Sequence, residues 1–170
     1  DSGIVEIIKS YREGLILYTY GFTNNIFTAE EIVDDVFFKL MVKKPPYSGR
    51  TTFKTWLYTI TRHNAIDYLR RRMLHPSVSI DEIQDHADRA ELENSYLKKE
   101  IRIQIFHALN EINESYRMVL YLSFFEEFSN EQLSKILGKS KRQIEMLKYR
   151  GLQALKKELA KRGVDYEILG

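Results

Sequence analysis

Two Ser-x-x-Gln sequences, Ser129-Asn-Glu-Gln132 and Ser140-Lys-Arg-Gln143, stand eleven residues apart with one glycine, Gly138, between them. Each reads as a capping box. The serine hydroxyl accepts the backbone N–H three residues on, and the glutamine reaches back to the serine N–H, so each pair marks a helix start. Gly138 supplies the left-handed residue on which helices commonly end. The spacing predicts a short helix over 130–137, a turn of only Gly138-Lys-Ser140, and a second helix from 141. Two helices joined this closely form a helix-turn-helix, whose second helix enters the major groove in proteins that read DNA with it.

The phase of that second helix, at about 100° per residue, sorts its side chains. Ile144, Leu147, Gly151, Leu155 and Leu159 fall on a core face, while Arg142, Met146, Tyr149, Arg150, Gln153 and Lys157 point the other way. A surface helix without a partner carries mostly Lys/Glu pairs; Arg and Gln interleaved with Met and Tyr supply donors for phosphates and base edges. Glu145, near the edge of the face, is poorly placed beside phosphate and suited to accept from a cytosine amino group. A plain helical hairpin is the competing reading.

The rest of the chain is also helical in pattern. Eight Gly and three Pro in 170 residues, with the prolines at Pro45, Pro46 and Pro76 only, favour long helices over a turn-rich β protein. Apolar residues at 44% and charged residues at 29% exclude wholesale disorder and fibrous repeats. The absence of cysteine excludes disulfides and thiolate zinc sites, and His63, His75, His86 and His107 show no metal-ligand spacing. No metal and no cofactor are expected. No apolar run is long enough to span a membrane, so no membrane insertion and a cytoplasmic location are expected. The chain begins at Asp1 rather than Met, which suggests a trimmed or processed start.

The charge is segmented. Residues 1–74 hold 11 basic and 8 acidic side chains, 75–95 hold 1 and 6, and 96–170 hold 14 and 10. A proline-led acidic stretch between two basic blocks reads as an interdomain linker, or else as a solvated loop within one domain. The expected architecture is all-α, with a helical bundle over 1–74, a linker over 75–95 and a helix-turn-helix domain over 96–170.

Within the first block, helices are expected over 4–20, ending before Gly21, then over 28–42, opened by a capping box Thr28-Ala-Glu-Glu31. The two prolines and Gly49 make 43–52 a loop, and a long helix follows over 53–73. In the second block Leu97, Ile101, Ile105, Ala108, Leu109 and Ile112 recur at helical spacing, and a further helix is expected over 116–125.

Two of these helices carry candidate sites. On the 28–42 helix Ala29, Val33, Val36 and Leu40 turn inward, leaving Glu30, Glu31, Asp34 and Asp35 outside with Phe38 among them. That face suits docking on a basic protein surface, burying Phe38 while the carboxylates steer. A metal site for nucleic-acid hydrolysis and a merely solvated face are the other readings. On the 53–73 helix Phe53, Leu57, Ile60 and Tyr68 form a core stripe, with Tyr58, Ile66 and Leu69 opposite beside Arg62. Trp56, Tyr58 and His63 among cations ending in Arg70-Arg-Arg72 provide stacking surfaces and backbone contacts of the kind single-stranded nucleic acid needs, although aromatics at this spacing also build cores.

In their order these parts resemble a bacterial RNA polymerase sigma factor of the extracytoplasmic-function group. Ala29-Glu-Glu-Ile-Val-Asp-Asp-Val-Phe-Phe-Lys-Leu40 resembles that family's core-polymerase-binding helix. Phe53-Lys-Thr-Trp-Leu-Tyr-Thr-Ile-Thr-Arg-His-Asn-Ala-Ile-Asp-Tyr-Leu-Arg-Arg-Arg72 is similar to its segment for promoter melting and −10 reading. Tyr116-Arg-Met-Val-Leu120, Glu131-Gln-Leu-Ser-Lys-Ile-Leu-Gly138 and Tyr149-Arg-Gly-Leu-Gln-Ala-Leu155 look like its −35-reading domain. The likeness covers nearly the whole chain and departs at Glu145 and Leu147, where family members often carry Lys or Arg.

The resemblance implies a transcription initiation factor and not an enzyme, with core RNA polymerase and promoter DNA as partners and an anti-sigma protein as a further candidate. It implies polymerase docking through Glu30, Glu31, Asp34, Asp35 and Phe38. It implies capture of the melted −10 strand by Lys43, Lys44, Arg50, Trp56, Tyr58, Arg62, His63, Asn64 and Arg70. It assigns duplex −35 contacts to Ser140, Lys141, Arg142, Met146, Lys148, Tyr149 and Arg150. The rival readings are a stand-alone helix-turn-helix regulator, which leaves the acidic face idle, and a carboxylate metal-dependent nuclease, which EDTA would inhibit.

Overall fold

Helix is the only regular secondary structure in the described residues, 2–75 and 100–165, of the computed structural model. The chain divides into two compact units, Asp1–Leu92 and Glu93–Gly170. The expected linker beyond His75 and the expected core residue Leu97 lie outside the described residues.

The first unit holds α1 (Ser2–Thr23), α2 (Ile26–Val42) and α3 (Phe53–Leu74). The second half of α1 is buried on every side, from Leu15 through Gly21. A helix so enclosed must be largely apolar all round, and Gly21 is one of its buried residues. The helix therefore runs past Gly21, contrary to the expected end. It stops at Asn24, which takes a left-handed φ of 52° and donates its N–H to the Tyr20 carbonyl at 2.9 Å.

The start of α2 corrects a second expectation. Its N-cap is Asn25, whose side chain accepts from the Thr28 N–H at 3.0 Å, so the helix opens before Thr28 and no capping box forms with Glu31. Asparagine caps at least as well as threonine, and the earlier start buries Ile26 completely. Thr28 and Glu31 serve α3 instead: the Thr28 hydroxyl accepts from Arg72 at 3.3 Å, and Glu31 accepts from the Tyr68 hydroxyl at 3.2 Å. The core joins Leu15, Ile16 and Leu17 to Ile32, Val33, Val36 and Phe37 and to Leu57, Tyr58 and Ala65. Of the expected α3 stripe only Leu57 is fully buried. Phe53, Ile60 and Tyr68 are half-buried.

The second unit holds α4 (Glu100–Asn110), α5 (Glu114–Phe124), α6 (Asn130–Leu137) and α7 (Lys141–Lys161). Arg117 of α5 closes the end of α4 by donating to the carbonyls of Leu109, Asn110 and Ile112 at 3.0, 3.3 and 3.2 Å, which satisfies groups a helix C-terminus leaves bare. Both capping boxes form as the sequence predicts, and Gly138 takes φ 64° at the end of α6. Gly151 of α7 lies against α5. A Cβ there would come within 3.1 Å of Leu120 Cδ1 and 3.2 Å of Tyr116 Cβ, so glycine permits the close approach.

Candidate nucleic-acid and protein interfaces

α7 presents its faces as its phase requires. Ile144, Gly151, Leu155 and Leu159 are buried beneath it, with Leu147 half-buried. Arg142, Met146, Tyr149, Arg150, Gln153 and Lys157 are exposed on the other side. Tyr149 is 69% exposed and Met146 43%, although burying such side chains is worth about 1.5–3 kcal/mol each. Lys141 is exposed at the first position of the helix. The Ser140 hydroxyl accepts the Gln143 N–H at 3.2 Å, leaving its own proton to donate. Lys148 differs from its neighbours: it is half-buried, and its ammonium donates to the Asn130 side chain at 3.1 Å, linking the two helices of the motif.

The acidic face of α2 is built across helices. Asp34 pairs with Arg12 of α1 at 3.1 Å, Asp35 with Lys39 at 2.9 Å, and Glu31 takes the Tyr68 hydroxyl. Burial, followed by the charge of Glu31, raises the Tyr68 pKa above its ordinary value. Glu30 is half-buried. Phe38 stands 58% exposed, and Phe27, Met41 and Val42 are exposed on the same helix. Phe38 lies about 20° around the helix from Phe27, three turns on, and Met41 and Val42 flank it at about 60° and 40° on either side, so the four share one side of α2. Sequence reasoning missed Phe27 because it began the helix one residue beyond it. Among the described residues no group of three or more His, Asp or Glu side chains is placed to hold a metal ion.

The third group surrounds α3. Tyr47 of the 43–52 loop packs on Phe53 and Trp56 with ring centroids 5.8 and 5.3 Å apart, and Tyr11 of α1 adds to Phe53 at 5.9 Å. Thr52 caps α3 by accepting from the Thr55 N–H at 3.2 Å. Lys43, Lys44 and Arg50 are exposed on the loop, and His63 and Arg70 on the helix, where Arg70 lies 4.0 Å from Asp67. Asn64 accepts from Lys39 at 2.7 Å and donates to the Ile60 carbonyl at 2.8 Å. Arg62 lies over the Phe22 ring at 5.3 Å and against the Tyr18 hydroxyl; burial pushes that hydroxyl up to about 12, with Arg62 pulling the other way. Tyr58 requires correction. It is 0% exposed and packs on Tyr18 at 5.5 Å, so it is a core residue, because α1 covers the face of α3 that the phase count left open.

Among the described residues no helix is long and apolar enough to cross a membrane. Residues 7–74 match the family described as Sigma-70 region 2, and residues 102–155 match Sigma-70, region 4, which together take in more than half of the chain. The chain is 26% identical over 163 residues to RNA polymerase sigma factor YlaC of Bacillus subtilis, covering 93% of this chain and 92% of that one. It is 24% identical to ECF RNA polymerase sigma factor SigX of the same organism, covering 90% and 81%. Among solved structures it is similar to the sigma factor RpoE of Bartonella quintana, crystallised with the anti-sigma factor NepR, at a TM-score of 0.71 and 20% identity over 94% of this chain and 98% of that one. A second similar structure is CnrH in complex with the cytosolic domain of CnrY, at a TM-score of 0.63 and 17% identity over 93% and 88%. The order of the two matched regions, the likeness along nearly the full chain and the two-unit helical fold agree: the chain belongs to the RNA polymerase sigma factors of the extracytoplasmic-function group.

Proposed function

We propose that this chain directs core RNA polymerase to specific promoters and initiates transcription there, as an initiation factor that acts in the cytoplasm. The observation that carries this reading is the exposed Arg142–Met146–Tyr149–Arg150 face of α7, on a helix-turn-helix whose chain also carries the exposed acidic and aromatic face of α2. A stand-alone regulator has use for the first face only.

Residues 1–74 serve polymerase docking and the −10 element, residues 96–170 serve the −35 element, and 75–95 join them. Glu30, Glu31, Asp34, Asp35 and Phe38, with Phe27 and Met41, dock on a basic surface of the polymerase. The carboxylates orient the encounter, and the exposed rings are buried in it. Ser140, Lys141, Arg142, Met146, Lys148, Tyr149 and Arg150 engage the −35 duplex. Lys43, Lys44, Arg50, Trp56, Arg62, His63, Asn64 and Arg70 take the −10 strand. Trp56 and Tyr47 offer rings against which an exposed base stacks, offsetting an unstacking cost of a few kcal/mol per base. An anti-sigma protein is a further partner.

The test is transcription in vitro from a randomised promoter library by bacterial core polymerase, with and without the chain. Transcripts that depend on the chain and share two separated upstream elements are the expected result. A library transcribed equally in its presence and absence overturns the reading.

A further inference from the structure

Glu145 is the fifth residue of α7, exposed, about 40° around the helix from Tyr149 and about 60° from Arg142 at 100° per residue. Three cations stand within one turn of it: Lys141 four residues before, Arg142 three before and Lys148 three after, the spacings at which helix ion pairs form. Among the described residues Glu145 pairs with none of them. Lys148 is drawn away by the Asn130 side chain, 3.1 Å from its ammonium. The helix dipole has little use for the charge either, since its favourable effect on acids falls off within the first turn and Glu145 lies beyond that turn. The carboxylate is thus left free at the edge of an otherwise cationic face.

Given the DNA-reading role proposed above, on which this inference rests, a carboxylate so placed meets either a phosphate or a base edge. Phosphate repels it. In the major groove guanine presents two acceptors, thymine an acceptor and a methyl group, and adenine an acceptor beside its amino donor, whereas cytosine presents an amino donor alone. Cytosine is therefore the base edge with which a carboxylate pairs without facing an acceptor on the same base. We propose that Glu145 is a specificity-determining residue, whose carboxylate accepts a hydrogen bond from the exocyclic amine of one cytosine in the −35 duplex and selects that base.

The experiment is enrichment of duplexes randomised across the −35 element by the full chain, alone and assembled with core polymerase, for the parent chain and for Glu145→Gln, Glu145→Ala and Arg150→Ala. The parent should show one position held to cytosine with about 5- to 150-fold discrimination, the range a good base contact supplies. Glu145→Gln should move that position to adenine, whose donor–acceptor pair an amide matches. Glu145→Ala should leave the position without preference and bind unrelated duplex more tightly, because a repulsive charge is gone. Retention of the parent preference by both Glu145 variants, alongside a motif that Arg150→Ala still alters, overturns the cytosine contact and leaves DNA reading intact. A parent chain that enriches no sequence in either arm overturns both.

Discussion

The acidic face of α2 and the proposed DNA-reading face of α7 are both exposed and charged, but they are assembled in opposite ways. On α2 the carboxylates already have partners: Arg12 holds Asp34, Lys39 holds Asp35, and Tyr68 donates to Glu31. On that face of α7, Lys141, Arg142, Glu145 and Arg150 have no ion pair among the described residues, while Lys148 is committed to Asn130. A partnered charge must exchange one partner for another on binding, so its net gain is small and its value lies in orientation. A free charge contributes its attraction in full, and with it a steep dependence on salt. Unit 1 is thus suited to geometry-sensitive docking, unit 2 to long-range attraction followed by reading.

The sharpest way to break this contrast is charge reversal on α2. Glu31→Lys with Asp34→Lys sets like charges against a basic partner and should weaken association with core polymerase by several kcal/mol. Fluorescence titration of labelled chain with polymerase reads the change, and an unaltered affinity would remove this face from the interface.

The α7 side depends on its seat. Gly151→Leu forces a side chain into the 3.1–3.2 Å gap against Leu120 and Tyr116 and should cost unit 2 about 3 kcal/mol in urea denaturation. Gly151→Ala should cost less, because alanine recovers about 1 kcal/mol of helix propensity. Equal stability for Gly151→Leu would mean that α5 and α7 separate easily.

A smaller effect belongs to the helix start. Ser140→Ala removes the hydroxyl that accepts the Gln143 N–H and should destabilise unit 2 by about 1 kcal/mol in the same assay. The least costly change tests the partnered charges. Arg12→Ala should cost unit 1 about 0.2–1 kcal/mol, as exposed ion pairs do, while freeing Asp34 and steepening the salt dependence of polymerase association. A flatter salt dependence would show that Arg12 does not neutralise this face.

The same contrast explains what could be read before the structure. The helix-turn-helix was legible because its determinants are local: Ser129 and Ser140 each act on a residue three positions away, and Gly138 acts on its own helix. The burial of Tyr58 was not, since phase distinguishes the sides of α3 but does not say that Tyr18 of α1 covers one of them. Thr28 and Glu31 looked like a cap because the sequence pattern fits one. Their true partners, Arg72 and Tyr68, lie 44 and 37 residues away, where periodicity carries no information. Arg12, 22 residues from Asp34, was missed for the same reason.

Gly151 also bears on how such a chain can be reprogrammed. At Gly151, on the side away from Arg142, Met146 and Tyr149, α7 comes close to α5 without a side chain of its own. The residues proposed to read DNA can be exchanged without disturbing that seat, much as type is changed in a fixed frame. On the proposed reading, promoter preference can therefore drift, or be redesigned, one base contact at a time, while a large side chain at residue 151 requires a change at 116 or 120.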